Sequence, residues 1–195
     1  MNLNEERTEL YDSFLIKEGI TSSDFDISDD LVIKIFYKYV YPNTKLMYLK
    51  SGDRKHTKTI SRQLNYTRLF LLHVKFKRNG NKASGIKEGF VYLVTNPAWP
   101  DKIKIGSSID VVERLNVYQS YSPNRDYELH EYYFSHDRFK EEKQWHRSLC
   151  ADGEWCKCEL EPIRKLFKTK KLHSIPDLSI FRISETKKKN SRVKQ

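Results

Sequence analysis

The side chains of this sequence whose types and spacing could carry chemistry are concentrated in its second half. His146, Cys150, Cys156 and Cys158 are four soft ligands separated by three, five and one intervening residues. Such a set could hold a structural zinc ion, although no C-x-x-C pair is present. The competing reading makes Cys156 a small buried hydrophobe. Glu142 precedes His146 by four positions and Arg114 precedes Tyr118 by four, so each pair shares one face wherever its segment is helical.

The charge pattern bears on what such groups would act upon. The net charge is +10 over 195 residues, but it is unevenly spread. Residues 1–30 carry 2 basic and 9 acidic side chains, whereas residues 31–87 carry 14 basic and one acidic, Asp53. Residues 88–168 are near neutral at −2, and residues 169–195 return to +6. A long block with a single carboxylate attracts polyanions, and tyrosines and phenylalanines lie among its cations, so nucleic acid is the expected partner. Within that block Arg54, Lys55, Lys58, Arg62, Arg68, Lys75, Lys77 and Arg78 are the candidate phosphate contacts. The apolar runs, such as Leu69 to Leu72, which stops at His73, are far below the roughly 18 residues that span a bilayer. The acidic start lacks the basic and apolar regions of a secretory signal. Three cysteines cannot all pair within the chain, which fits a reducing compartment, and a cytoplasmic location is the expectation.

The elements that must position these groups follow from periodicity. Leu3 to Lys17 is spaced as a helix and Gly19 stops it. Leu31 to Tyr41 reads as a second helix, capped by Ser28 or Asp29 and closed by Pro42-Asn43. Ile60 to Lys77 starts with helical spacing, while Phe70, Leu72, Val74 and Phe76 alternate like a strand, so a helix leading into a strand is expected. Arg78 to Gly85, rich in Gly and Asn, reads as a linker. Beyond it come two strands, Glu88 to Thr95 and Lys102 to Ser107, forming a hairpin across the turn at Pro97 and Pro100. A helix capped by Asp110 runs through about Tyr118, a third strand covers Tyr127 to Phe134, and helices follow from Asp137 or Arg138 to Cys150 and from Glu159 to Lys168. The order predicts an α+β fold: a small three-stranded, mainly antiparallel sheet with flanking helices, preceded by a mostly helical basic region. The implied division is 1–86, 88–168 and a basic, partly disordered tail at 169–195.

Five short motifs occur in order along this second half: Phe90-Val91-Tyr92, Lys104-Ile105-Gly106, Glu113-Arg114-Leu115, Glu142-x-x-x-His146 and Gly153-Glu154-Trp155. Their order and spacing resemble the phage-type branch of the GIY-YIG nuclease superfamily, in which the second motif begins with Lys. The resemblance covers residues 88 to about 168 and implies phosphodiester hydrolysis with one divalent ion, Mg²⁺ or Mn²⁺. By that likeness Tyr92 would orient or deprotonate water, with Lys104 as the cation that lowers its phenol pKa. Arg114 would clamp phosphate oxygens, Tyr118 would join it from the same helical face, Glu142 would hold the metal, and His146 would reach the metal-bound water or a phosphate. Gly106, Gly153, Glu154 and Trp155 would shape the site. The implied protein is an endonuclease acting on double-stranded DNA, in a phage setting a homing enzyme or one that attacks competing or host DNA, in the host cytoplasm. The alternative is a non-catalytic nucleic-acid-binding protein that retains the fold, zinc-stapled or not.

Overall fold

A computed structural model of the chain describes residues 3–43, 57–149 and 151–176, with the side chains of Leu3, Thr57 and Lys58 also outside the described set. Arg54, Lys55, Cys150, the Ser51-Gly52-Asp53 turn and the tail from residue 177 therefore lie outside the described residues. The described elements are α1 (Leu3–Lys17), α2 (Asp29–Ile35), α3 (Thr57–Arg78), β1 (Gly89–Thr95), β2 (Lys102–Ser108), α4 (Val111–Tyr121), β3 (Glu128–Ser135), α5 (Arg138–Ser148), β4 (Trp155–Lys157) and α6 (Leu160–His173). The fold is α+β, with a helical N-terminal region and one antiparallel sheet in the order β3-β1-β2-β4.

Local chemistry sets most of these boundaries. Gly19 takes a φ of 79°, and the amides of Gly19 and Ile20 donate to the carbonyls of Ile16 and Leu15, satisfying the end of α1. Ser28 caps α2 by accepting from the amide of Leu31. The second helix does not run evenly to Tyr41: beyond Ile35 its turns widen, and the Tyr41 amide donates to the Phe36 carbonyl five residues back. Asp110 caps α4 by accepting from the amides of Val112 and Glu113. The partner of its own amide is Ser108 Oγ at 3.1 Å, from the end of β2.

Two elements differ from expectation. Residues 60–77 lie within one helix of 22 residues, α3, with no strand, because α3 lies between other elements and is buried on most sides. Phe70, Leu72 and Val74 are all buried, so an all-round apolar helix mimics the alternation of a strand. The sheet has four strands instead of three. β4 is only three residues long, too short to show a period, and it pairs Lys102, Ile103 and Lys104 with Lys157, Cys156 and Trp155.

β1 is central and buried on both faces. Phe90, Tyr92 and Val94 share a cluster with Phe14, Leu15, Phe36, Leu64 and Phe70 of the helical layer. Val91 and Leu93 face the other way, onto Trp145 of α5 and Ile163 and Phe167 of α6. The core thus runs across the 78–85 connection, whose turn is held by Asn79 donating to the carbonyls of Lys82 and Ser84.

The two charge blocks meet in space. Arg68 is fully buried, donates to Asp29 at 2.7 Å and to Asn65, and sits over the Phe134 ring. Lys75 donates to Glu88 at 2.7 Å inside the core. Arg78 donates to Asp12 and to the carbonyls of Ile20 and Ser22. These three cations were expected to meet phosphate. Instead they join α3 to the acidic N-terminal elements and to the start of the sheet. Lys34, Lys38 and Tyr39 donate to Glu18 and hold its carboxyl at about 2.

The Lys75–Glu88 pair yields a test. Burial pushes the Glu88 carboxyl up, but the bonds from Lys75 and the Ile27 amide more than offset it, so its pKa lies below the ordinary carboxylate range. The pair's stabilisation should therefore be complete above that ordinary range and be lost as pH falls through the depressed value. Glu88→Gln should cost about 3–5 kcal/mol at neutral pH by leaving the Lys75 ammonium buried without a counter-charge. The double variant with Lys75→Met should recover most of that loss, as read from urea midpoints and slopes.

Candidate active site

Tyr92 lies opposite Gly106 in the β1–β2 ladder. A Cβ at position 106 would come within 2.6 Å of the Tyr92 Cζ, so the ring lies directly on bare backbone. From there its hydroxyl reaches the Tyr118 hydroxyl at 2.6 Å, with α4 leaning over the sheet. Two residues before Gly106, Lys104 points to the same face and is buried between the rings of Tyr118 and Trp155, 4.9 and 5.5 Å from their centroids. Its ammonium donates to Glu154. Glu154 is delivered by a tight turn in which Gly153 takes a φ of 63° and Asp152 and Trp155 exchange backbone hydrogen bonds. Trp155 also packs on Trp99, with centroids 5.0 Å apart.

β4 pairs only with the first half of β2, and α5 fills in alongside the remainder. Arg138, Glu142 and His146 are four apart and form one face of α5. His146 Nε2 donates to the Ile105 carbonyl at 2.8 Å, which fixes the proton on that nitrogen. Ser107 Oγ donates to Glu142 Oε2 at 2.6 Å, and Arg138 Nη1 in turn donates to Ser107 at 3.4 Å. Arg138 is buried, with its Nη2 on the Ile86 carbonyl and its Cδ in the space that a side chain at Gly89 would fill. Among the described residues no carboxylate comes within ion-pair distance of this guanidinium. Its Nε has no partner there either.

The two halves share one electrostatic neighbourhood. Burial raises the Tyr92 phenol, its bond with Tyr118 raises it further, and the charge of Arg114 opposes them, with a net shift upward. Burial lowers the Arg138 pKa, which the charge of Glu142 opposes. Arg114 itself is exposed on the first turns of α4. The expected pairing of Lys104 with Tyr92 is thus corrected. Lys104 is committed to Glu154, Arg114 and Arg138 are cations that act on Tyr92, and the phenol is made less acidic because desolvation outweighs their charge.

Tyr92, Lys104, Tyr118, Glu154 and Trp155 come together on one face of β2, with Gly106 beneath them. Glu142 and His146 lie along β2 beyond the end of β4. Ser107 and Arg138 were missed from the sequence. The four-residue spacing from Arg138 through Glu142 to His146 was the available signal. Of the expected phosphate contacts, Arg62 is exposed and Lys77 is exposed beside Glu9 at 3.3 Å, while Arg68, Lys75 and Arg78 are internal.

The metal expectations separate by donor chemistry. Cys156 is fully buried in the core beneath β2, where burial pushes its thiol up to about 11, against the thiolate that zinc needs. Among the described residues no three His, Cys, Asp or Glu side chains gather to hold a metal. Glu142 offers a half-buried carboxylate beside a hydroxyl, a hard oxygen set that suits Mg²⁺ or Mn²⁺ keeping several waters.

Residues 89–171 match the family model of the T5orf172 domain, a phage-associated domain related to nuclease-type domains. Comparison with curated proteins and with solved structures returned no match.

The Tyr92–Gly106 contact can be probed without knowledge of substrate. Gly106→Ala should lower stability by about 1–3 kcal/mol through overpacking. It should also weaken the near-UV circular dichroism of the displaced tyrosine pair. Ser107→Ala, one residue along, should leave that signal unchanged.

Proposed function

We propose that this protein is a GIY-YIG-type endonuclease that hydrolyses phosphodiester bonds in double-stranded DNA with one divalent ion, Mg²⁺ or Mn²⁺. The observation that carries the reading is that Tyr92 rests on Gly106 and the Glu142 carboxylate on Ser107, adjacent residues of β2, with the charge of Arg114 acting on the Tyr92 phenol. Phosphoryl chemistry of this class requires a positioned water, donors for the non-bridging oxygens and relief of charge on the leaving oxygen. The Tyr92–Tyr118 hydroxyl pair can donate to and accept from a water. Because burial raises the Tyr92 phenol, it keeps its proton at neutral pH and orients the water as a hydroxyl and not as a phenolate base. Arg114, exposed and fork-shaped, suits the phosphate oxygens. Glu142 would hold the metal, oriented by Ser107, and a bound divalent ion would supply charge neutralisation at the leaving 3′ oxygen. Arg138 adds fixed positive charge behind Glu142, and His146 seats α5 on β2. The phage association of the T5orf172 domain fits a homing enzyme and one that acts on competing or host DNA alike.

Incubation with supercoiled plasmid and Mg²⁺ should give chelator-sensitive nicking. Glu142→Ala should abolish it while duplex affinity stays within about twofold, since one carboxylate contributes little to phosphate binding. Arg114→Ala should reduce kcat by about 10²–10³ with a small change in KM, because its charge counts most where the transition state gains charge. Unchanged Mg²⁺-dependent cleavage by Glu142→Ala would exclude it as the metal ligand.

A further inference from the structure

A wide cleft lies away from the site above, between α3, the start of α4, β3 and the last turns of α6. It encloses about 890 Å³, within the range of pockets that hold a ligand of nucleotide size. Its floor is aromatic, made by Phe90 of β1 and Tyr132 of β3, with Tyr66 of α3 standing at the rim and 37% exposed. Val112 and Leu172 line it too, and both are more than half exposed, so a flat apolar object is the natural occupant.

The rim differs in character from the floor. Arg62 rises from α3 on one wall, and Lys168 and Lys171 rise from α6 on the other. Lys171 lies 5.2 Å from the centre of the Tyr132 ring. Glu131 is the acidic group beside them, but it faces Lys171 at 3.1 Å with Lys168 and Arg164 each at 4.0 Å. The other carboxylate of the lining, Asp110, is paired with His73 at 3.0 Å, and Arg62, Lys168 and Lys171 outnumber the two carboxylates and leave the rim positive. Aromatic faces below and cations above match a base and its phosphates, the pattern by which proteins hold unpaired nucleic-acid strands. A greasy peptide would match the floor but would leave the cationic rim without a partner.

The cleft is also placed to receive such a strand. Phe90 is two residues from Tyr92 on the same face of β1, and Tyr132 is Tyr92's cross-strand neighbour in β3. Asp110 and Val111, which line the cleft, lie about one helical turn before Arg114. A strand gripped at Arg114 therefore has the cleft within about one nucleotide's reach, since two residues of strand cover about 7 Å.

We propose that this cleft binds an unpaired nucleotide of a DNA strand, stacking its base against Tyr66 and Tyr132 and pairing its phosphates with Arg62, Lys168 and Lys171. The proposal extends the reading of the protein as one that acts on DNA, and its test is independent of cleavage. Fluorescence anisotropy of the full chain in chelator, with a short labelled oligothymidylate, the same strand carrying central abasic residues, and a duplex of equal length, reads the cleft directly. The wild-type chain should bind the abasic strand about tenfold more weakly than the thymidine strand, as expected for the loss of one stacked base. Tyr66→Ala, at an exposed rim position, should weaken the thymidine strand about tenfold with its salt dependence intact, and change the duplex by less than about twofold. Arg62→Gln with Lys168→Gln should instead flatten the salt slope by about 0.7 for each contact. Equal binding of abasic and thymidine strands would overturn the proposal. So would an unchanged Tyr66→Ala, which would assign the cleft to a protein partner. Displacement of the strand by free thymidine monophosphate at comparable concentration would overturn it as well, making the cleft a mononucleotide site. If these arms fail while the plasmid is still nicked, only the cleft assignment falls. If they succeed and no plasmid is cut, only the endonuclease reading falls.

Discussion

Tyr92 and Gly106 face each other across the β1–β2 ladder, and the missing side chain at 106 lets an aromatic ring rest on the neighbouring strand. That contact fixes the height of the Tyr92 hydroxyl and so the distance at which Tyr118, and with it α4, can dock. The position of α4 then determines where Arg114 stands. The same flat stretch of β2 continues into Ser107, whose hydroxyl holds Glu142 and brings α5 alongside. Two helices from opposite sides of the sheet are thus aligned on adjacent residues of one strand. The precision of the arrangement comes from strand register, which is stiffer than a loop.

Positive charge in this protein serves two different purposes. Arg68, Lys75 and Arg78 turn inward and pair with Asp29, Glu88 and Asp12. Arg68 and Arg78 join the acidic first segment to the basic second one and bear on how α1 and α2 lie on α3, while Lys75 joins α3 to the start of the sheet. Arg62, Arg114, Lys168 and Lys171 stay at the surface around the cleft and the candidate active site. A count of cations along the chain cannot separate the two groups, because partners such as Arg78 and Asp12 are 66 positions apart.

This also marks where the sequence was legible. α1 with its glycine stop, the β1–β2 hairpin, and the capped starts of α4 and α5 each follow from a few neighbouring residues, because the signal and its cause are local. Tyr92, Glu142 and His146 were singled out by the likeness of their motifs to a nuclease superfamily, and the motifs sit on those locally legible elements. The second half of α3 was misread as a strand because burial on most sides removes the amphipathic period. β4 escaped because three residues hold no pattern and its pairing depends on the Gly153 turn. Ser107 and Arg138 escaped because their roles arise from packing: the space above Gly89 admits the Arg138 side chain, a relation between residues of different elements.

The burial of Phe90, Tyr92 and Val94 against the N-terminal helices has an evolutionary side. Domains that recombine freely between proteins usually expose polar surfaces at their seams. Here the seam is the core itself, and half of the central strand's side chains belong to it. A gene rearrangement that joined residues 88–168 to a different N-terminal segment would leave an uncovered apolar sheet face, prone to self-association. Descent with this helical layer attached, or with another helix able to cover the same three side chains, is the route such a sheet leaves open.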